Sequence, residues 1–372
     1  MIDSTYIPAF SMSKFLRLKC SYTILLVLSL FVTNYTISLA QTDSIDAIVK
    51  QFIDKEHITG LSVAIIQNGA PIWNKGYGLA NVEHRVHAND HTVFRLASIS
   101  KQFFATAILK LVQDGKLSLD DGISSFFRKS PDIWQPIKIK HLLSHTSGLA
   151  REAPGYDNFK LQSDISIVQS AYELPLEFPT GQKYQYCNLG YYMLAEIISQ
   201  VSGKPWQDYI QTELFDIAGM KDTYLTDFYP TIPNRANGYV VNNGSVLNAT
   251  PMISIRPSGG FLSTTSDMIK WDKILTDQKL ILNQSNWTLL WQPFIKVNTN
   301  DTSNAYYGFG WTVDTYQGHK VINHGGSNMG FKTQYSRFVD DHLSIIVLTN
   351  TDHAKPNNLV LELANFLLKM SK

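Results

Sequence analysis

The order of the predicted elements restricts the fold of this chain more than any single residue does. A helix at 43–56 is followed by two short strands, 61–66 and 71–75, joined at an Asn68-Gly69 turn typical of a hairpin. An apolar helix at 358–370 comes after four further predicted strands, at 311–314, 320–323, 332–338 and 343–349. We therefore expect an α+β fold in which one antiparallel β-sheet is flanked by N- and C-terminal helices.

The middle of the chain has a different character. Residues 102–113 show the apolar periodicity of a buried helix that ends at Asp114-Gly115, and residues 116–250 are mostly helical segments broken by turns. We divide the chain accordingly into a sheet region, formed by 41–115 and 251–372, and a mainly helical inserted region, 116–250. A small-molecule pocket is expected between two such layers.

The first 40 residues have the pattern of a secretory signal peptide. Lys14, Arg17 and Lys19 precede an apolar run of about ten residues at 23–32, and Ser38-Leu39-Ala40 provides small residues for cleavage. The run is shorter than the roughly 20 residues that a membrane-spanning helix needs. We expect cleavage after this tripeptide, a secreted or periplasmic location and no stable membrane span afterwards. An N-terminal membrane anchor is the alternative.

The remaining chain carries almost no net charge. Loss of residues 1–40 removes three basic and one acidic side chain and leaves 29 basic and 30 acidic ones. This balance gives no indication of a nucleic-acid partner or of binding to an anionic membrane surface. Only Cys187 remains of the two cysteines, so no internal disulfide can form, and we expect this residue to be a small buried filler.

A Ser-x-x-Lys tetrad, Ser98-Ile99-Ser100-Lys101, directly precedes the predicted helix at 102–113. Side chains three residues apart share one face of a helix, so the amine of Lys101 can take the proton of the Ser98 hydroxyl. A second copy, Ser11-Met12-Ser13-Lys14, lies inside the predicted signal peptide and is absent from the mature chain. The pattern predicts a serine hydrolase that works through a covalent acyl-enzyme.

Two downstream motifs accompany the tetrad: Tyr186-Cys187-Asn188, and His324-Gly325-Gly326-Ser327, which we place at the start of a strand. The three motifs in this order resemble those of the serine β-lactamase and penicillin-binding-protein superfamily. Further segments are similar to its class C β-lactamase-like branch: His141-Leu-Leu-Ser-His145-Thr-Ser-Gly-Leu149, Tyr77-Gly78-Leu-Ala80, Gly259-Gly-Phe-Leu-Ser-Thr264 and Tyr307-Gly-Phe-Gly-Trp311. The resemblance covers most of the mature chain and implies a β-lactamase/transpeptidase-like fold.

The resemblance also implies how the acyl-enzyme would form. Ser98 would be the nucleophile, and its backbone N–H would form an oxyanion hole together with the backbone N–H of Ser327. Gly325 and Gly326 would let the substrate approach the backbone of that strand closely.

Two bases are implied for the Ser98 proton. Lys101 is the first, and Tyr186 is the second, which would also protonate the leaving group. A phenol titrates near pH 10, so we expect Lys101 and a protonated His324 to lower the pKa of Tyr186. Asn188 would bind a substrate carbonyl and orient Lys101.

Other residues fit chemical patterns, but a structural role is expected for most of them. Tyr156-Asp157-Asn158 repeats the Tyr-x-Asn spacing inside a Pro-Gly loop. His141 and His145 have the spacing of a metal-binding pair on a helix, but no third ligand is evident, so no metal and no cofactor are expected. For three aromatic residues a pocket wall and a core position are equally compatible with the sequence: Tyr306, Tyr307 and Trp311.

His324 is the main departure from the superfamily pattern. Most of its β-lactamases carry a lysine there, which helps to hold the β-lactam carboxylate, and a histidine is a weaker, pH-dependent cation. Versions with histidine occur among D-alanyl-D-alanine carboxypeptidases, D-aminopeptidases and esterases. We therefore expect an esterase or a D-amino-acid peptidase or carboxypeptidase acting on a small molecule or short peptide.

Two alternatives stay open at this point. One is β-lactamase activity. The other, from a different class, is a penicillin-binding or sensor protein that is acylated without turnover. The loops at 151–162 and 237–257 are expected to shape the pocket and so to decide the acyl donor.

Overall fold

The computed structural model describes residues 39–226, 229–251, 253, 257–297 and 304–370. Residues 1–38 of the predicted signal peptide lie outside the described residues. The chain divides into two compact units, Met1–Ala47 and Ile48–Lys372. In the first unit the described residues form the beginning of one helix. The sheet, the core and the site discussed below belong to the second unit.

Helices follow the predicted apolar periodicities closely. In the described ranges the α-helices are α1 Leu39–Glu56, α2 Lys101–Gln113, α3 Ile139–Leu143, α4 Asp164–Ser170, α5 Leu189–Ser202, α6 Trp206–Ile210, α7 Asp216–Ala218, α8 Thr265–Asp277, α9 Gln284–Leu290 and α10 Pro356–Met370. A π-helical segment at Gln211–Phe215 joins α6 to α7, and 3₁₀ turns occur at Ala97–Ser100, Ile123–Ser125, Asp132–Trp134 and Pro257–Gly259. Among the described residues no helix combines the length and apolar character needed to cross a bilayer.

The strands confirm the predicted antiparallel sheet. They are β1 Gly60–Gln67, β2 Ala70–Asn81, β3 Val86–His87, β4 Phe94–Arg95, β5 Tyr224–Leu225, β6 Tyr239–Asn242, β7 Ser245–Asn248, β8 Phe261–Ser263, β9 Ile295–Lys296, β10 Tyr306–Tyr307, β11 Thr312–Tyr316, β12 His319–Asn328, β13 Phe331–Phe338 and β14 Leu343–Thr349. The main sheet has the order β3-β2-β1-β14-β13-β12-β11-β10-β9 within the described part of the chain. The pairing of β1 with β14 places the first strand of the chain beside the last one, near the middle of the sheet.

The predicted hairpin and the strand that carries the third motif show how local sequence sets the sheet. Asn68 and Gly69 have φ of 52° and 76°, which gives the tight turn between β1 and β2 the twist that a hairpin needs. The motif beginning at His324 was expected at the start of a strand. It lies instead in the second half of β12. Its two glycines remain extended because Gly325 pairs with Gln334 and Gly326 with Thr333 on β13.

The core sets the position of the second layer. Every residue of β14 is buried, which requires cover on both faces, and both α8 and α10 contact this strand. In α1, the part inside the second unit buries Val49 and Phe52. Helix α2 is almost wholly buried. It contacts α5 and also the 3₁₀ turn at Ala97–Ser100, which directly precedes α2.

The predicted helical region contains α3 to α7 and also the three short strands β5, β6 and β7. The domain division at residues 115/116 and 250/251 stays a prediction. What the fold fixes for function is the place where α2 begins, because the 3₁₀ turn at Ala97–Ser100 contacts both β12 and the turn at Pro257–Gly259.

Candidate active site

Ser98 lies in the 3₁₀ turn that leads into α2. The preceding residue, Ala97, has a φ of 49°, a left-handed conformation that is unfavourable for a residue with a Cβ atom. Ser100, the other serine of the tetrad, is buried, and its Oγ accepts a hydrogen bond from the Phe261 N–H at 3.2 Å. The turn therefore presents Ser98 as the reactive hydroxyl and uses Ser100 for packing.

The side chain of Lys101 is fully buried beneath Ser98. Its Nζ donates to Ser98 Oγ at 3.2 Å, to Asn188 Oδ1 at 2.9 Å and to the Ser258 carbonyl at 2.6 Å. Two acceptors other than Ser98 thus hold the nitrogen in place. A neutral amine would keep those two bonds and turn its lone pair towards the Ser98 O–H, as a general base must.

Tyr186 approaches the same serine from the segment before α5. Its hydroxyl is hydrogen-bonded to Ser98, and its ring centroid lies 4.7 Å from Lys101 Nζ. Burial raises the pKa of Tyr186 above its usual value, and the Ser98 hydrogen bond opposes this only in part. The expectation that neighbouring cations bring this pKa below its usual value is therefore wrong, although Arg151 acts in that direction. With this raised pKa Tyr186 is a protonated phenol, suited to giving a proton to a leaving group.

Asn188 connects Lys101 to a carboxylate at the rim of the site. Its Oδ1 accepts from Lys101, and its Nδ2 donates to Glu152 Oε1 at 2.5 Å. The backbone N–H of Asn188 donates to the Arg151 carbonyl at 2.8 Å, which fixes the start of α5. Asn188 thus has the position expected for orienting Lys101, and the two N–H groups of its Nδ2 allow it to donate both to Glu152 and to a substrate carbonyl.

The third motif lies in the part of β12 that is paired on one side only. Strand β11 pairs with residues 319–323 of β12, and in the described ranges residues 324–328 continue beyond it with β13 as their neighbour. Alternate N–H and C=O groups of this stretch therefore point away from the ladder. Gly326 packs on the Ser98 turn so closely that a Cβ atom would lie 2.3 Å from the Leu96 carbonyl oxygen.

His324 is buried and has both ring nitrogens engaged. Nδ1 lies 2.6 Å from the Gly325 carbonyl oxygen, and Nε2 lies 3.0 Å from the Tyr307 hydroxyl. Burial, and to a lesser extent the charge of Lys101, lowers the pKa of His324 to about 3. The histidine is therefore neutral near pH 7. It does not supply the protonated side chain expected from the sequence.

These groups line or adjoin one cleft of about 770 Å³. Seven of the eight predicted site residues line it, namely Ser98, Tyr186, Asn188, His324, Gly325, Gly326 and Ser327. The eighth, Lys101, lies directly below and reaches the cleft through Ser98. A hydroxyl with a buried amine on one side, a phenol on the other and a half-paired strand opposite is an arrangement suited to acyl transfer.

Comparison with known proteins agrees with this geometry. The sequence profile of the family described as Beta-lactamase matches residues 45–368. The chain belongs to the beta-lactamase family. Penicillin-binding protein 4* of Bacillus subtilis (strain 168) is 28% identical over 321 residues, which cover 81% of this chain and 70% of that protein.

Two solved structures extend the comparison to the fold. The octameric penicillin-binding protein homologue from Pyrococcus abyssi has a TM-score of 0.80 at 26% identity and covers 89% of this chain and 78% of its own. D-amino acid amidase from Ochrobactrum anthropi SV3 also has a TM-score of 0.80, at 22% identity, and covers 89% of this chain and 100% of its own. The latter likeness concerns the fold alone. These two structures confirm the predicted fold class, and membership of the beta-lactamase family confirms the serine hydrolase prediction.

Other residues considered in the sequence serve local structure. The Tyr156 hydroxyl donates to Asn158 Oδ1 at 2.6 Å inside its own loop. The two histidine rings at the metal-pair spacing serve different backbone groups, since His141 Nδ1 accepts from Lys138 N–H and His145 Nδ1 from Cys187 N–H. Their expected structural role is confirmed.

The burial of Cys187 and of the three aromatic residues considered in the sequence shows what role each has. Cys187 is buried, its Sγ lies 3.2 Å from the Ala150 carbonyl oxygen, and burial raises the pKa of its thiol to about 12. The buried-filler interpretation is confirmed. Tyr307 and Trp311 are buried in the core and Tyr306 is exposed, and the residues lining the cleft include none of the three.

Several cleft residues were missed by the sequence motifs. Arg151 and Glu152 belong to a loop that was expected to shape the pocket, but neither was assigned a role. Lys332 lies opposite Ser327 in the β12–β13 ladder, and its Nζ donates to Ser327 Oγ at 2.6 Å. The start of α10 also lines the cleft, through residues 355–358. Cross-strand pairing from the predicted strands would have indicated Lys332, whereas nothing in the local sequence marks the others.

Proposed function

We propose that this protein is an exported serine hydrolase that cleaves an ester or amide bond through an acyl-Ser98 intermediate. The observation that carries the proposal is that Ser98 Oγ lies 3.2 Å from the buried Lys101 Nζ and is also hydrogen-bonded to Tyr186. Membership of the beta-lactamase family supports the same chemistry. No cofactor or metal has a role in it.

The steps follow from the donors and acceptors of the site. Lys101, as the neutral amine, takes the Ser98 proton while Oγ attacks the acyl carbon, and the carbonyl oxygen becomes an oxyanion near the backbone of Ser98 and Ser327. The phenol of Tyr186 gives its proton to the departing oxygen or nitrogen. Water then attacks the acyl carbon and gives a proton to the Tyr186 phenolate, and the Lys101 ammonium returns its proton to the released Ser98 oxygen, which restores the phenol, the amine and the serine hydroxyl.

The first test measures acylation itself. A fluorophosphonate or a fluorescent penicillin should label the mature chain from residue 41 at one site, and Ser98→Ala should remove the label. Ser100→Ala is the matched control, since this serine of the same tetrad bonds to the Phe261 N–H and faces away from the cleft. Equal labelling of wild-type protein and Ser98→Ala would contradict the proposal.

We infer that esters and D-amino-acid amides or peptides are better substrates than β-lactams. The neutral, doubly hydrogen-bonded His324 supports this, because it cannot provide the positive charge that a lysine at this position gives to a β-lactam carboxylate. The fold shared with a D-amino acid amidase is compatible with amide substrates. Turnover of p-nitrophenyl esters, D-phenylalanine amide, a D-Ala-D-Ala peptide and nitrocefin ranks the classes, and a higher kcat/KM for nitrocefin than for the others would contradict this order.

A second candidate is a penicillin-binding protein that is acylated without turnover. The similarity to penicillin-binding protein 4* favours this candidate. A burst of one product equivalent per Ser98 with no steady state would support it, whereas continuous turnover of an ester would exclude it. Export is a separate proposal that rests on the sequence pattern of residues 1–40, and N-terminal sequencing of the secreted protein should find Gln41 first.

A further inference from the structure

Tyr307 lies where the second and third motifs meet. It belongs to β10, and its ring centroid lies 4.7 Å from that of His145 and 6.4 Å from that of Tyr186. Its hydroxyl lies 3.0 Å from His324 Nε2, and only 1% of Tyr307 and 6% of His324 are exposed. Solvent therefore does not compete for this hydrogen bond.

The hydrogen bonds around His324 define its proton positions. The Gly325 carbonyl oxygen, 2.6 Å from Nδ1, can only accept, so Nδ1 carries a proton. In a neutral ring Nε2 is then an acceptor, and the Tyr307 hydroxyl donates to it. A cationic ring would instead present an N–H to Tyr307 and force its hydroxyl to turn away.

The surroundings of His324 favour the neutral ring. The titratable groups packed around it are Lys101 from α2, Tyr186 and His145 from the helical region, Tyr307 from β10, and its pairing partner Tyr335 on β13. None of these is an acid that would be ionised at neutral pH to balance an imidazolium, and Glu152, the carboxylate of the same cleft, is bonded to Asn188 Nδ2. Burial disfavours the imidazolium whichever form the Lys101 amine takes, and the protonated amine would also repel it in a medium of low polarity.

We propose that Tyr307 is a positioning residue that holds His324 as the neutral Nδ1–H tautomer and fixes its ring beside Tyr186. The third motif then presents an uncharged side chain to the cleft throughout the neutral pH range. This role goes beyond the acyl-enzyme chemistry, and it rests on the proposed function only in the part of its test that measures turnover.

The wild-type protein tests the tautomer directly. Two-bond proton–nitrogen NMR correlations of nitrogen-15 histidine distinguish the two neutral tautomers and the cation, and His324→Gln assigns the signal. The Nδ1–H tautomer should be found, with no titration between about pH 5 and about pH 8. An Nε2–H tautomer or an imidazolium at pH 7 would overturn the proposal without any variant of Tyr307.

Tyr307→Phe removes the donor to Nε2 together with the hydrogen bond between the Tyr307 and Tyr191 side chains. We expect a mixture of His324 tautomers and a fall in kcat of about 2- to 13-fold, the range for one lost hydrogen bond of about 0.5–1.5 kcal/mol. Tyr184→Phe is the matched control, because its ring lies 5.4 Å from Tyr307 in the same cluster while Tyr307, not Tyr184, lies at His324 Nε2. The control should keep one tautomer and the wild-type kcat.

Two results for the variants would count against this role. One is a single Nδ1–H tautomer with unchanged kcat in Tyr307→Phe, and the other is an equal effect of Tyr184→Phe. If the wild-type protein is never acylated at Ser98, the proposed function fails, whereas the NMR result still decides the role of Tyr307.

Discussion

The Nζ atom of Lys101 lies 3.2 Å from Ser98 Oγ at a point where the lysine has no exposed surface. The Ser258 carbonyl and Asn188 Oδ1 hold this nitrogen, so it cannot turn towards another partner when Ser98 is acylated. The geometry of the base is thus built into the fold before a substrate arrives, which reduces the cost of orientation in the transition state.

Lys101→Met should reduce acylation by roughly 10²–10⁴-fold, the usual contribution of a positioned general base. Methionine fills a similar volume but leaves Asn188 Oδ1 and the Ser258 carbonyl without their donor, so the free energy of unfolding should fall by about 1–3 kcal/mol for each acceptor left unpaired. Lys110→Met is the control, since this lysine of the same helix forms a surface pair with Asp114. The measurements are the rate of probe labelling and the thermal unfolding midpoint, and a wild-type rate in Lys101→Met would exclude Lys101 as the base.

Gly326→Ala should impair catalysis by displacing β12 from the Ser98 turn. A Cβ atom there would lie 2.1 Å from Thr333 Oγ1 and 2.3 Å from the Leu96 carbonyl oxygen, so one of these elements must move. Overpacking of this kind costs about 1–3 kcal/mol of stability. Gly122→Ala is the control, because its φ is −73° and the nearest atom would be 4.0 Å away. Urea unfolding and kcat/KM should change in the first variant and remain unchanged in the second.

Lys332 should set the preference for negatively charged substrates. Its Nζ donates to Ser327 Oγ and it lines the cleft, whereas His324 is neutral. Lys332→Met should lower kcat/KM for 3-carboxyphenyl acetate relative to phenyl acetate by up to about 10-fold at low salt, and the effect should shrink near 0.15 M salt, where the Debye length is about 8 Å. Lys320→Met on the exposed part of β12 should leave the ratio unchanged. A constant ratio in Lys332→Met would show that this lysine does not meet the leaving group.

The stability of the protein should fall as pH rises through the range in which Asp164 titrates. Burial raises the pKa of Asp164 from 3.8 to about 7, and nearby Glu196 adds to this, although Trp206 Nε1 donates to its carboxylate at 2.8 Å. The native state therefore binds a proton that the unfolded state has lost. The contribution to stability is complete below about pH 4 and disappears towards pH 7, at about 1.4 kcal/mol per pKa unit.

Asp164→Asn should remove this dependence. The free energy of unfolding of the wild type, minus that of the variant, should decrease between about pH 4 and about pH 7 and then level off. Urea titrations at several pH values measure it. An increase of this difference with pH would show that the carboxylate is stabilised, not destabilised, in the fold.

Much of the fold was predictable because its signals are local. The Asn68-Gly69 turn and the apolar runs of β13 and β14 identify themselves within ten residues, and the pairing of β1 with β14 follows once a single sheet is assumed. The tetrad at Ser98 was predictable for the same reason, since its spacing places both side chains on one helix face.

The electrostatics of the site were not predictable. The neutral state of His324 depends on burial and on the charge of Lys101, and no motif records how deeply a residue is buried. Likewise the acceptor that holds Lys101 at 2.6 Å is a backbone carbonyl, that of Ser258, which any residue type would provide. The direction of the Tyr186 pKa reversed because desolvation outweighs the neighbouring charges, and the sequence does not give burial depth.

The half-paired strand β12 has a consequence for how the protein avoids aggregation. Open strand edges recruit other chains, and natural proteins keep them short, interrupted or covered. Among the described residues the open stretch is 324–328, contains two glycines, and lines a cleft together with Ser98 and the start of α10. Such an edge is short for pairing with a second folded sheet, yet its length suits one extended peptide bound by β-augmentation. The open edge of β12, which would promote aggregation in an exposed sheet, is thus used to bind the substrate.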